Sequence, residues 1–173
     1  MDRFSLANFP VQGRRAFLRV DYNVPLEKGR VQDDARIRAT IPTIQFLLEK
    51  KCNMVIATHL GRPEGQRVRE WKVNPLVEQL QKLLPKQRII KLDDCVGEKI
   101  REAIEAGKPG EIFMLENLRF HREEEENKVE FAKALGSLAD FFVNDAFRVP
   151  SPACFPRSYH PFFTVYGWII IGN

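Results

Sequence analysis

Residues 16–29 read AFLRVDYNVPLEKG, and this stretch sets how the rest of the chain is read. Its first five positions, AFLRV (16–20), have the length and apolar content of a short buried strand. The following DYNVPLEKG is a polar loop punctuated by a proline and a glycine. Downstream the apolar period changes. Ile37, Ile41, Ile44, Leu47 and Leu48 recur at three and four, which predicts a helix from Asp33 or Asp34, as N-cap, to about Lys51. The same pair of patterns then repeats. MVIAT (54–58) reads as a strand, followed by the loop HLGRPEGQ and a helix from Asn74-Pro75 to about Leu84. RIIKL (88–92) precedes a helix opened by Asp93 or Asp94 and closed at Gly107. EIFML (111–115) precedes ENLRFH and a helix over 123–139, with Val129, Phe131, Ala132, Leu135 and Leu138 turned inward. FFV (141–143) is the fifth strand, ending in NDAF.

Strand and helix alternate five times with short connections. That is the pattern of an α/β fold: a Rossmann-like parallel β-sheet with helices on both faces. Composition agrees. Of 173 residues, 44% are hydrophobic and 29% charged, too apolar for a disordered chain. No apolar run reaches the length of a membrane span, and the N-terminus carries no signal-peptide core. Three cysteines, Cys52, Cys95 and Cys154, are too scattered for a disulfide framework or a zinc site, so reduced thiols in a cytoplasm are expected. The run Glu123–Glu126 reads as a solvated acidic first turn that suits the helix dipole.

Ligands of an open parallel sheet bind beyond the carboxyl ends of its strands. Those ends carry unusual polar sets here. Asp21 and Asn23 follow the first strand, and His59, Gly61 and Arg62 the second. Glu116, Asn117, Arg119 and His121 follow the fourth, Asn144 and Asp145 the last, and Arg36 opens the first helix near the same rim. Arginine grips carboxylate or phosphate bidentately and stays charged at neutral pH, so this cluster suits a small anion with two charged ends. Asp21 and Asn23 would orient hydroxyls on that ligand. Any single arginine reads equally well as a surface residue paired to a nearby acid; the set, all on strand-end loops, reads better as a site. His59 is either an anion donor or a satisfied loop histidine. No G-x-G-x-x-G or G-x-x-x-x-G-K-[S/T] motif is present, and no Ser/His/Asp set stands out. Cys95 lies near a helix start but reads as a packing residue.

The segments FLRVDYNVPL, DDARI, PTI, THLGRP, ENLRFH and FVNDAF, in this order and spacing, resemble the N-terminal domain of phosphoglycerate kinases over about residues 3–147. Tyr22 stands where that family usually has Phe, and Thr58 where it often has Ser; neither change removes a ligand group. The resemblance implies reversible phosphoryl transfer between ATP and 3-phosphoglycerate, giving ADP and 1,3-bisphosphoglycerate, with magnesium. It implies two domains closing on each other, the first binding phosphoglycerate and the second Mg-ATP. Asp21 and Asn23 would bind the carboxylate and hydroxyl end of the ligand. His59, Arg62 and Arg119 would grip its phosphate side. Arg36 would be the catalytic arginine beside the transferring phosphoryl, where its fixed charge stabilises the transition state.

After Phe147 the chain departs from the family. Residues 148–173 hold no acidic residue, four prolines and 6 of the chain's 18 aromatics, so the domain should end near residue 147. The family's H-R-x-H-A-S and F-L-P-x-x-A-G segments are not in this stretch, nor is a nucleotide-binding domain. Back-translated with free codon choice and read one nucleotide forward, the tail permits H-R-P-H-A-S across Val149–Phe155 and F-L-P across Phe162–Val165. It also permits A-G across Gly167–Ile169. We therefore expect 148–173 to be an out-of-frame, poorly ordered tail on a truncated chain, the full gene product being more than twice as long. On this reading the chain is an inactive fragment that binds no cofactor and is monomeric and cytoplasmic, with a non-catalytic 3-phosphoglycerate-binding module as the alternative. The net charge of +4 also raises a nucleic-acid binder. Interspersed acids and bases over 1–147, with no aromatic-basic run, speak against it, and no membrane association is expected.

Overall fold

The computed structural model describes residues 10–146 and the backbone of Ile169–Ile170. In chain order the elements are β1 (Arg15–Val20), β2 (Leu26–Glu27), β3 (Arg30–Val31), α1 (Ala35–Ala39), α2 (Ile41–Glu49) and β4 (Asn53–Ala57). Then come α3 (Asn74–Leu83), β5 (Ile89–Lys91), α4 (Glu98–Glu105), β6 (Ile112–Met114), α5 (Arg122–Glu125), α6 (Val129–Gly136), β7 (Phe141–Asp145) and β8 (Ile169–Ile170). The five expected strands form one parallel sheet in the order β5-β6-β4-β1-β7, and β8 adds a two-residue edge beside β7. The expectation of a poorly ordered tail otherwise falls outside the described residues.

β1 is central, and its side chains divide the molecule. Ala16, Leu18 and Val20 enter a core with Ile44 and Leu47 of α2 and Leu76 and Leu80 of α3. Phe17 points the other way, into a core with Ile100 and Ile104 of α4 and Phe131 and Leu135 of α6. Its ring stacks on Phe142 at 5.9 Å between centroids. Both faces of β1 are covered, so its sequence reads as a near-continuous apolar run rather than an alternating one. Arg19 lies on the Phe17 side of this strand and is only 6% exposed. A guanidinium there requires partners on that face, and it finds them in the site described below.

Several elements differ from expectation, each for a local reason. The helix expected from Asp33/Asp34 to Lys51 breaks at Thr40, because Pro42 lacks an N–H and its ring crowds the carbonyl four residues back. Asp34 takes the N-cap position without a side-chain capping bond, while Asp33 accepts the Ala35 N–H at 2.9 Å. The helix expected from Asp93/Asp94 starts only at Glu98, after Gly97 at φ 113°. The helix expected over 123–139 is two pieces parted at Asn127, whose φ is 57°. In consequence Val129 is 47% exposed rather than inward, and Glu124 is buried rather than solvated. The hairpin β2–β3 was not foreseen; Lys28 and Gly29, both at positive φ, supply its two-residue turn.

Candidate functional site

The carboxyl ends of β1, β4 and β6 face one rim, and the loops leaving them are tied together by side chains. Thr58, after β4, accepts the Tyr22 N–H on its hydroxyl at 3.0 Å, which fixes the loop after β1. Asn117, after β6, is fully buried and clamps the loop after β4. Its Oδ1 accepts the N–H groups of Leu60 (3.2 Å) and Arg119 (3.1 Å), while its Nδ2 donates to the carbonyls of Leu60 (2.7 Å) and Trp71 (2.9 Å). Glu116, 2% exposed, accepts from the Val73 and Asn117 N–H groups, each at 3.0 Å, and pairs with Lys91 at 2.8 Å. Glu116 and Asn117 were expected among the rim groups; both are instead consumed in holding the loops.

Gly61 shows how tight this framework is. Its φ is +64°, and a Cβ built there would sit 2.4 Å from the Trp71 ring. Only glycine fits, so the backbone passes close beneath the rim with its N–H and carbonyl free to bond side chains. The Gly61 N–H donates to Asn23 Oδ1 at 2.9 Å, and the Gly61 carbonyl accepts from Arg119 at 3.2 Å. Since Asn23 Oδ1 is occupied, the Asn23 NH₂ remains as an outward donor.

The structure brings the six expected site residues to this rim and joins five of them. Arg36 donates to Asp21 at 2.5 Å, and Asp21 also accepts the Asn23 N–H at 3.2 Å. Gly61 links Asn23 to Arg119. Arg119 Nε lies 3.6 Å from Glu125 and 4.0 Å from Glu124, and makes no hydrogen bond. Glu124 approaches Arg19 at 3.7 Å, and Arg19 bonds His59 Nδ1 at 3.2 Å. Arg62 is exposed and has no hydrogen bond or ion pair among the described residues. The arginines therefore divide between the two sequence readings. Arg36 is paired to an acid yet stays 45% exposed, Arg119 is held inward, and Arg62 is uncommitted.

The electrostatics are dominated by cations. Burial, then the charges of Arg19, Arg119 and Arg36, pull His59 down to about 3, so its imidazole is neutral at physiological pH. Burial pushes Glu124 up, and Arg19 and Arg119 draw it part of the way back. A neutral histidine donor beside three guanidinium groups is an anion-binding arrangement.

Two residues that bond into the rim lay outside the sequence-based set. Arg19 was legible only as a charge inside a buried strand, and Glu124 stood in an acidic run with nothing to single it out. Three rim candidates drop out. His121 turns away to Asp94, at 2.6 Å, and stacks on Phe131. Asn144 and Asp145 belong to β7, and Asp145 is buried. An open cavity of about 1040 Å³ lies beside the rim, lined in part by Arg67, Trp71, Lys72, Lys91 and Asp93. Two of its cations are already engaged, Lys91 with Glu116 and Asp93 and Arg67 with Asp94, while Lys28, Arg69 and Lys72 share its lining with Glu70 and Glu78. Cys52 and Cys95 are free and buried, as expected of packing thiols, and burial pushes both upward in pKa. No described helix is long and apolar enough to cross a membrane.

Fold and rim together define an open parallel α/β domain with a cationic edge whose chemistry suits an anion. Comparison with known proteins makes this specific. The phosphoglycerate kinase family model matches residues 6–152, and the chain belongs to that family. Phosphoglycerate kinases of Moorella thermoacetica and Thermomicrobium roseum are 48% and 50% identical to it, over 147 and 143 residues. These matches cover 85% and 83% of this chain but 37% and 36% of the relatives. The solved phosphoglycerate kinase of Coxiella burnetii superposes with a TM-score of 0.71 at 36% identity, covering 84% of this chain and 36% of that one. For the Pyrococcus horikoshii enzyme the values are 0.72, 37%, 83% and 36%. The chain thus spans a little over a third of the length of the relatives it matches.

Proposed function

We propose that residues 1–147 form the phosphoglycerate-binding domain of a phosphoglycerate kinase, and that the rim holds 3-phosphoglycerate. The observation that carries this reading is the linked set Asp21–Arg36, Asn23–Gly61–Arg119 and Arg19–His59, with Arg62 uncommitted beside it. It offers donors at two separated ends, as a carboxylate and a phosphate on one small molecule require. Asp21, which already accepts from Arg36, would also accept the ligand hydroxyl, and the outward NH₂ of Asn23 would meet the carboxylate. His59, Arg62 and Arg119 would hold the phosphate. Arg36 would stand at the transferring phosphoryl, its guanidinium stabilising charge that develops there.

Magnesium takes hard oxygen ligands in near-octahedral array. Among the described residues one group of three metal-ligating side chains stands together: Asp94, Cys95 and His121. It offers one carboxylate, one thiol and one imidazole, and its Asp94 is engaged by Arg67 and His121. This set does not fit Mg²⁺, so we assign Mg-ATP to the part of family members that this chain does not span. In-line transfer needs both substrates held in line, so the chain alone binds 3-phosphoglycerate as a monomer in a cytoplasm without turning it over. Nucleic acid and membranes are not among its partners on this reading.

A coupled kinase assay and a binding titration test these points together. The 173-residue chain should give no turnover with ATP and 3-phosphoglycerate, but should bind 3-phosphoglycerate saturably. Measurable turnover by the purified chain would refute the non-catalytic assignment. Absence of saturable binding would refute the site.

A further inference from the structure

The six residues proposed to touch the ligand do not account for the most buried cation near them. Arg19 is 6% exposed, and both terminal nitrogens of its guanidinium are engaged from within. One terminal nitrogen donates to the carbonyls of Val20 (3.1 Å) and Ala57 (3.3 Å), the backbone of the two strands it bridges. The other lies 3.2 Å from His59 Nδ1 and 3.7 Å from Glu124. Such a group has little left to offer a ligand. What it does constrain is the histidine.

A guanidinium has only donors, so the nitrogen it meets must be an acceptor. His59 Nδ1 is then without a proton, and the ring proton sits on Nε2, which has no partner among the described residues. We propose that Arg19 is a positioning residue, fixing His59 as the neutral Nε2–H tautomer so that the rim presents one directed donor to the anion. The other cations around His59 act in the same sense. Arg119, after β6, and Arg36, on α1, both disfavour the imidazolium. Glu124, on α5, stands behind Arg19 and balances its charge away from the ring. The histidine therefore contributes direction rather than charge, and its contribution should not vary across the neutral range.

The role of Arg19 in ligand binding rests on the phosphoglycerate reading, but its role in setting the tautomer does not, and the experiment separates them. The full chain, labelled with ¹⁵N-histidine, is titrated by NMR without ligand. Wild type should show His59 as the Nε2–H tautomer, with no imidazolium appearing between pH 5 and 8. A Nδ1–H tautomer, or protonation near the ordinary histidine value of about 6.5, would overturn the proposal. The double variant Arg19→Met/Glu124→Gln removes the buried pair together, so that no lone charge is left behind. It should show mixed tautomers and an imidazolium that forms at a higher pH than in wild type, though still below the ordinary histidine value, because burial, Arg119 and Arg36 remain. Arg19→Lys, which keeps a donor and a charge, should restore the single tautomer in part. A double variant that folds, judged by circular dichroism, and keeps the wild-type tautomer would refute the assignment. If the variants fail to fold, the wild-type titration still decides it.

In a parallel calorimetric titration, the folded double variant should bind 3-phosphoglycerate about 5- to 10-fold more weakly, the worth of one charge-assisted hydrogen bond. Unchanged affinity there would refute the link to binding. A wild-type chain with the expected tautomer that does not bind 3-phosphoglycerate would instead refute the substrate reading and leave the tautomer assignment standing.

Discussion

Two carboxylates close the carboxyl ends of β6 and β7, and they are treated in opposite ways. Both Glu116 and Asp145 are 2% exposed. Glu116 has a cation, Lys91, at 2.8 Å and two backbone donors at 3.0 Å. Burial opposes the charge on Lys91, but Glu116 and Asp93 hold its ammonium above the usual range. Among the described residues neither oxygen of Asp145 has a well-formed hydrogen bond, though the Thr43 hydroxyl lies close enough to favour its charge. Burial lifts Asp145 to about 6, and Thr43 offsets only part of that. Equal burial thus gives a rigid strut at one strand end and a strained acid at the other. The strut lies under the loops that carry His59, Gly61 and Arg119, where geometry must be held. The strained acid lies three strands away across the sheet, on β7 beside β8.

The comparison can be broken most forcefully at Glu116. Replacing it with Ala leaves the Val73 and Asn117 N–H groups without an acceptor and Lys91 with only the exposed Asp93, so the chain should lose about 2–4 kcal/mol in chemical denaturation. A loss under about 1 kcal/mol would show that Glu116 is no strut. Lys91→Met should leave Glu116 in the position of Asp145, with backbone donors but no cation, at a cost of about 3 kcal/mol.

Asp145→Asn should act in the opposite direction, and its sign follows from linkage. The folded state binds the Asp145 proton more tightly than the unfolded chain does. Stability is therefore lost as pH rises from about 3.8 through about 6, and the penalty is complete above that. The Asn variant escapes it and should be more stable than wild type by on the order of 2–3 kcal/mol at pH 7. The difference should vanish near pH 3.8 and below, as denaturation curves at several pH values would show. A gain that does not vary with pH would mean that charge is not the cause. The smallest effect is expected from Thr43→Val, which removes the partial offset and should destabilise by about 1 kcal/mol or less at pH 7.

How far the sequence led can be judged at the same places. All five strands were legible, because both faces of the sheet are covered and the strands read as apolar runs between turn signals. Helix limits were less so. Pro42 and Asn127 interrupt apolar patterns that run on past them, and periodicity alone does not register a single backbone break. The rim placement of Asp21, Asn23, His59, Arg62 and Arg119 was legible, since position after a parallel strand predicts the rim, and Arg36 on α1 reaches the same rim through Asp21. What stayed hidden was the division of labour. Glu116 and Asn117 occupy the same kind of strand-end loop, but their side chains turn inward to satisfy backbone groups. Arg19 and Glu124 lie 105 positions apart in the sequence (from 19 to 124), and only the fold brings them together.

The central claim is that the rim, not the neighbouring cavity, receives the phosphorylated acid. Backbone and arginine side-chain NMR of the full chain, titrated with 3-phosphoglycerate, tests it directly. Saturable shifts should concentrate on Asn23, Gly61, Arg62 and Arg119, and Arg62→Ala should weaken them about tenfold or more while leaving stability within about 0.5 kcal/mol. Shifts confined to Arg67, Lys72 and Lys91, or none at all, would contradict the account.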